Sequence, residues 1–233
     1  MHVDDSPDDP APAPAPAPAA TRTITTVTQY ASPDLIAAIV YDGHDPADDP
    51  RWPESGAPSR ADYGRWCGEW CGMACLRMVL TLRDGTAPPL YELLTAGLPY
   101  GTYVPQPDGS IRGLYHRPFA DYVRAEHGLE AEVHGDLDAD DLRALLADAD
   151  ADGDDPGGTT VVIASVHREI RRPDRPAPGR GGHLVLVTGH DPAADTLTFH
   201  NPSGHTPAAR TATLPTDVFE PFWSHRAIGV RLR

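Results

Sequence analysis

Long apolar runs are missing from this 233-residue chain. No stretch reaches 18 apolar residues, which excludes a membrane-spanning helix. The first thirty residues lack a basic start followed by an apolar core, so no secretory signal is encoded and the cytoplasm is the expected location. Cysteine is scarce as well. Three residues bunched at 67, 71 and 75 are too few for a disulfide scaffold, so free thiols in a reducing compartment are expected. Lysine is absent altogether, since all nineteen bases are arginine. With Ala, Asp, Pro and Gly abundant, this reads as the mark of a GC-rich coding sequence. Bases are also outnumbered, 19 against 34 acids, and the net charge of −15 disfavours a nucleic-acid partner. That charge is local. Residues 1–21 hold −4 and residues 136–155 hold −8, so the remainder is nearly balanced.

The chain is long enough for one well-filled core. The alternating Ala-Pro run from Pro10 to Ala19 cannot bury apolar surface and reads as an extended tail over 1–21. A single folded domain is expected over 22–233. It opens with a β-branched run, Thr23 to Thr28, read as a strand. A helix follows from Ser32-Pro33 to Val40, and 44–62 reads as loop. The strongest helical spacing is Ala74, Met78 and Leu82, predicting a helix over 70–82 that stops at Asp84-Gly85. Shorter helices are predicted at 89–96, 118–127 and 138–147. Strands are predicted at 159–166, 183–188, 196–200 and 227–232. Helices first and an antiparallel sheet afterwards give an α+β fold.

Cys71 opens the strongest helix, where the positive end of the macrodipole lowers a thiol pKa from about 8.5. Gly72 beside it leaves room for a substrate backbone. Main-chain N–H groups at an open helix start, that of Cys71 first, can hold an oxyanion. A small buried thiol is the plainer reading of an isolated cysteine. A second segment changes the context. Gly182-His183-Leu184-Val185-Leu186-Val187 and Leu197-Thr198-Phe199-His200-Asn201 flank a turn at Asp191-Pro192, so they fold back as a hairpin. A turn centred on Pro192 pairs 183 with 201 within a residue or two. His183 and Asn201 then share the open end of the hairpin, a base beside a group that orients it.

These residues resemble the papain-like cysteine peptidases that trim double-glycine leaders from bacteriocin precursors, and their stand-alone relatives. The resemblance is carried by Cys71-Gly72-Met73-Ala74-Cys75-Leu76-Arg77-Met78, by Gly182-His183-Leu184-Val185-Leu186-Val187 and by Asn201-Pro202, in that chain order. It implies a papain-like fold with N-terminal helices packed on an antiparallel β-sheet. It implies Cys71 as nucleophile, His183 as base and Asn201 as orienter, no metal or organic cofactor, and a peptide or precursor-peptide substrate. Trp70, Gly72 and Gly182 become the cleft residues beside them. Two departures stand out. The family's third residue is usually Asp, where Asn201 stands here. Its oxyanion glutamine lies about six residues before the nucleophile, where this chain has Arg65; Gln29 and Gln106 are remote in sequence. Arg65 is therefore the candidate side-chain donor. An inactive peptide-binding module of the same fold is the alternative reading, and a thiol acyltransferase a third.

Three further features have two readings each. Cys67, Cys71 and Cys75, four apart, would share a face of one continuous helix, as a metal site or a redox pair would need, but structural zinc prefers a two-residue gap. Asp148-Ala149-Asp150-Ala151-Asp152-Gly153 opens like a calcium loop, yet Thr159 stands where a bidentate Glu is needed, which favours a solvated linker. The stretch 167–182 holds five Arg against Glu169 and Asp174. It is either a surface loop neutralising the acidic segment or a rim for an acidic peptide.

Overall fold

The computed structural model describes residues 24–151 and 159–232. The expected tail at 1–21 and the carboxylates of the calcium-like run from Asp148 to Gly153 lie outside the described residues.

The amino-terminal half is helical. A 3-10 turn at Pro33–Leu35 leads into α1 (Ile36–Tyr41). The stretch 44–62, expected as loop, instead holds 3-10 turns at Pro46–Asp48 and Trp52–Ser55 and the start of α2 (Arg60–Trp66). Its helix start was legible in local chemistry: Ser59 accepts from Asp62 N–H at 3.1 Å and donates to the Asp62 carboxylate. The central helix is α3 (Cys71–Asp84), closed by Gly85 in the left-handed region at φ 78°. Then come α4 (Leu90–Gly97), a short hairpin of β1 (Tyr103–Pro105) and β2 (Ile111–Gly113), α5 (His116–His127), β3 (Glu130–His134) and α6 (Ala139–Ala151). Asp138 and Asp141 cap α6 reciprocally, each accepting the other's N–H at 2.9 Å.

The rest builds the sheet: β4 (Thr160–Val166), β5 (His183–Asp191), β6 (Thr196–His200), α7 (Pro207–Arg210), β7 (Thr211–Pro215), α8 (Thr216–Phe219) and β8 (Trp223–Arg231). Six strands pair antiparallel in the order β3-β8-β4-β5-β6-β7. The α+β class expected from the sequence is therefore the observed one, helices packed on an antiparallel sheet. Of the strand expected at Thr23–Thr28, the described residues 24–28 form no ladder pairing and are tied to the sheet by Thr26 Oγ1 at 2.6 Å from His200 Nδ1.

Period-2 alternation sends β4 and β5 side chains to two faces. Val161, Ile163, Leu184 and Leu186 join the helical layer with Met73, Leu76 and Leu80 of α3. Val162, Ala164, Val185 and Val187 pack with Leu142 and Leu146 of α6 and with Phe219, Phe222 and Trp223. Both faces are covered, which explains why these strands read as unbroken apolar runs. The geometry sets the N-terminus of α3 against the first residues of β5.

Candidate active site

Cys71 sits in the first turn of α3 because the chain breaks between α2 and α3. Residues 67–70 form a turn rather than a continuous helix, which takes Cys67 off the face shared by Cys71 and Cys75. All three thiols are free and buried. The Cys71 sulfur lies 3.8 Å from Glu69 O and accepts a backbone hydrogen bond from Leu184. That bond ties the helix start to the strand residue following His183. Cys71 is 7% exposed and His183 6%, and both line one cavity of about 800 Å³.

His183 is presented by Gly181 and Gly182, both at positive φ, 75° and 88°, where a side chain would be strained. Its Nε2 lies 2.9 Å from Asn201 Oδ1. That oxygen also receives the Ser203 N–H at 3.0 Å, and a backbone N–H can only donate, so the amide orientation is settled. Nε2 must then carry the proton and donate to Asn201, which leaves Nδ1 as the basic nitrogen. Ser203 Oγ stands 3.0 Å from the same Nε2 and donates to Asn201 Oδ1 at 3.2 Å. Ser203 was missed in the sequence because the turn is centred between Ala193 and Ala194 rather than on Pro192, and the bulge between Val187 and Gly189 takes back only part of that shift. Leu186 pairs with His200, so the register continued to His183 faces 203 rather than 201.

Burial governs the protonation states. Desolvation pushes the Cys71 thiol up to about 11, against the lowering by backbone hydrogen bonds from Leu184 and Gly72. The fall expected from the helix start is thus outweighed by removal from water. Desolvation likewise draws His183 down to about 3, opposed by the Asn201 hydrogen bond and reinforced by the positive charges of Arg171 and Arg168. Thiol and imidazole are both neutral at pH 7.

The His183 shift has a consequence for stability. Between about pH 6.5 and pH 3 the unfolded chain protonates this histidine while the folded one does not, so stability falls as pH falls through that window. His116 and His200 are shifted the same way by burial. The urea midpoint should therefore drop between pH 7 and pH 5, and less steeply for His183→Gln. Parallel profiles for the two proteins would contradict the assignment.

The side-chain amide in this cavity belongs to Gln29, a residue set aside for its distance in sequence. Gln29 is 2% exposed, and three bonds fix it between the two halves of the site. Its N–H donates to Pro202 O at 2.8 Å, its carbonyl accepts Trp70 Nε1–H at 2.6 Å, and its Nε2 donates to Cys67 O at 2.8 Å. The segment is anchored just beyond by Asp49, which accepts from Ser32 N–H, Ser32 Oγ and the Tyr63 hydroxyl at 2.8, 2.6 and 2.9 Å. Arg65, by contrast, is exposed on α2, its guanidinium 5.8 Å from the Trp66 ring centre and outside the cavity. Trp70 is fully buried behind the site rather than lining it. Gly72 is also interior: a Cβ there would lie 2.7 Å from Leu114 Cδ1 and 3.0 Å from Leu184 Cδ1. Gly182 does line the cavity.

Asn201 is held from behind. Its N–H donates to Arg210 O at 2.8 Å, and Gly204 packs on the same stretch. A Cβ at Gly204 would stand 2.4 Å from Ala209 O and 2.5 Å from Arg210 N, both rigid backbone. Gly204→Ala should cost about 2 kcal/mol or more of unfolding free energy and displace Asn201. Denaturant titration checks the first effect; an unchanged midpoint would refute it.

No protein-family model matches the sequence, and no curated protein matches it. Solved structures similar to it include a double glycine motif protease from an AMS/PCAT transporter in complex with the leader peptide. It is 17% identical, with 70% of this chain and 84% of that one covered and a TM-score of 0.43. The peptidase domain of Streptococcus ComA, a bifunctional ABC transporter involved in quorum sensing, is 14% identical over 70% of this chain and 92% of its own, at 0.42. A protein described as a C39-like peptidase from Bacillus anthracis is 15% identical over 69% and 88%, at 0.46. The roles of individual residues rest on this chain's own geometry.

Proposed function

We propose that this chain is a papain-like cysteine peptidase in which Cys71 attacks the scissile carbonyl, His183 moves the proton and Asn201 orients His183. The observation that carries this reading is the bond from His183 Nε2 to Asn201 Oδ1, in a cavity shared with a cysteine at a helix start. It fixes the tautomer that a base facing the thiol needs.

The chemistry starts from a neutral pair. As Sγ bonds to the substrate carbonyl carbon, its proton passes to His183 Nδ1, and Asn201 and Ser203 stay on Nε2–H. The developing oxyanion meets the Cys71 N–H, which as a first-turn donor of α3 has no acceptor within its own helix. The second N–H of the Gln29 amide is the side-chain donor in this scheme. Collapse breaks the C–N bond, and Nδ1–H protonates the leaving amine. Water then attacks the thioester with Nδ1 as base, releasing the acid and restoring the thiol. Gln29 removes the motive for the inactive-module reading, which rested on a missing oxyanion amide. A precursor or leader peptide as substrate comes from the sequence resemblance.

Incubating the protein with a mixture of randomised peptides, read by mass spectrometry, tests the reaction class. New termini should form with wild type and not with Cys71→Ala. Equal cleavage by both, or none by wild type, would overturn the proposal.

A further inference from the structure

We infer that the cavity carries a carboxylate-binding subsite beside the catalytic base, formed by Arg168 and Arg171, and that the peptides it accepts present an acidic group there. This rests on the peptidase reading and narrows its substrate class.

The cavity is positive in a negative protein. Its charged lining is Arg168, Arg171, Arg172 and Arg226 against Glu69 and Glu169, while the chain as a whole carries −15. The four arginines are not equally engaged. Arg172 pairs with Glu169 through Nε and Nη2 and stacks 4.0 Å above the Tyr41 ring centre, so it is neutralised in place. Arg171 is 6% exposed; its guanidinium gives Nε–H to Arg168 O at 2.7 Å and Nη2 to a distant Glu169 oxygen at 3.5 Å, and lies 5.5 Å from the Tyr41 ring centre. Its Nη1 finds no acceptor among the described residues. That nitrogen is not sealed from water, so its unused N–H groups are free to meet an anion that enters the cavity. Arg168, on the same turn, is exposed, and its guanidinium forms no hydrogen bond or ion pair among the described residues.

Placement supplies the function. Arg168 and Arg171 line the same cavity as Cys71 and His183, and their charges disfavour the protonated form of His183, so an anion bound to them shares that cavity with the base and the scissile bond. Among the described residues, the ion pairs of this Arg-rich stretch stay within it, Arg171 and Arg172 both going to Glu169. The long-range field of the protein repels anions, so any preference for acidic peptides must come from this local wall.

The ligand chemistry is a peptide carboxylate, from an Asp or Glu side chain or from the C-terminus. Two pools of randomised dodecapeptides separate these, one containing Asp and Glu, the other Asn and Gln in their place, each made with free and with amidated C-termini. Retention on the immobilised Cys71→Ala chain is quantified by mass spectrometry. A carboxylate-containing pool should be retained roughly tenfold better than its amide counterpart. Arg168→Gln and Arg171→Gln, added separately, should each remove most of that margin. Loss of the margin on amidation alone identifies the C-terminal carboxylate; persistence at fixed positions identifies the side chain. Arg168 is exposed, so its variant stays informative even where Arg171→Gln fails to melt like the parent. Equal retention of all pools, or a margin indifferent to Arg168→Gln, overturns the subsite. Wild-type cleavage of the same pools keeps the two claims apart: retention without cleavage refutes the peptidase alone, and cleavage without acid preference refutes the subsite alone.

Discussion

Cys71→Ala protein should cleave nothing measurable, a loss on the order of 10⁴ to 10⁶-fold, while melting within a few degrees of wild type. The contrast with the other two cysteines makes this a strong test. Cys75 lies one turn further along α3 in the helical core, and Cys67 lies in the turn before it; neither lines the cavity. Burial raises all three thiols, Cys71 to about 11, Cys67 to about 12 and Cys75 well above its ordinary value, so what sets Cys71 apart is the cavity it shares with His183. Cys67→Ala and Cys75→Ala should keep turnover within a few-fold and cost about 1 kcal/mol of stability each through lost packing. Peptide cleavage and thermal melting on the three variants check the pattern. Activity surviving in Cys71→Ala, or lost equally from all three, would remove the nucleophile assignment.

The second large effect belongs to Gln29. Removing one oxyanion donor typically costs roughly a hundred- to thousandfold in kcat, and Gln29→Ala should do so with KM little changed. Arg65→Ala, which alters an exposed side chain outside the cavity, should stay within about twofold. Gln29→Ala also leaves Cys67 O without its partner, a cost of about 1–3 kcal/mol that could be mistaken for the catalytic effect. Alkylation of Cys71 by iodoacetamide separates them, because that displacement forms no oxyanion. Its rate should be unchanged in Gln29→Ala if the nucleophile and base remain in place. Turnover within a few-fold of wild type would strip Gln29 of its role.

Much of this site was readable in the sequence, and what was not has physical causes. His183 and Asn201 came from hairpin arithmetic, and Asn201 is the only asparagine in the chain. The pairing they make is through side chains; the backbone register is shifted by two, which brings Ser203 in unannounced. Cys71 was legible from the apolar period of α3 and its start. Gln29 was not, because its three ties run to Cys67, Trp70 and Pro202, contacts that no local pattern encodes. Besides the short hairpin β1-β2, the strands that escaped reading, β3 and β7, are the two edges of the six-stranded sheet. β3 buries only Ala131 and β7 buries none of its residues, so neither shows an apolar run. The strand expected at Thr23–Thr28 failed in the opposite direction: β-branched residues favour extension, but over 24–28 the tie to the sheet is the side-chain contact of Thr26 with His200 rather than ladder pairing.

The account turns on Cys71 and His183 acting as a nucleophile and its base. The most direct measurement is the pre-steady-state burst of p-nitrophenol from p-nitrophenyl acetate at pH 7, with the acetylated residue located by peptide mass spectrometry. It needs no knowledge of the natural substrate. The account predicts about one equivalent released per chain, the acetyl group on Cys71, and acylation slowed at least about a hundredfold in His183→Ala. Acetyl groups spread alike over Cys67, Cys71 and Cys75, or a Cys71 rate unchanged without His183, would contradict it.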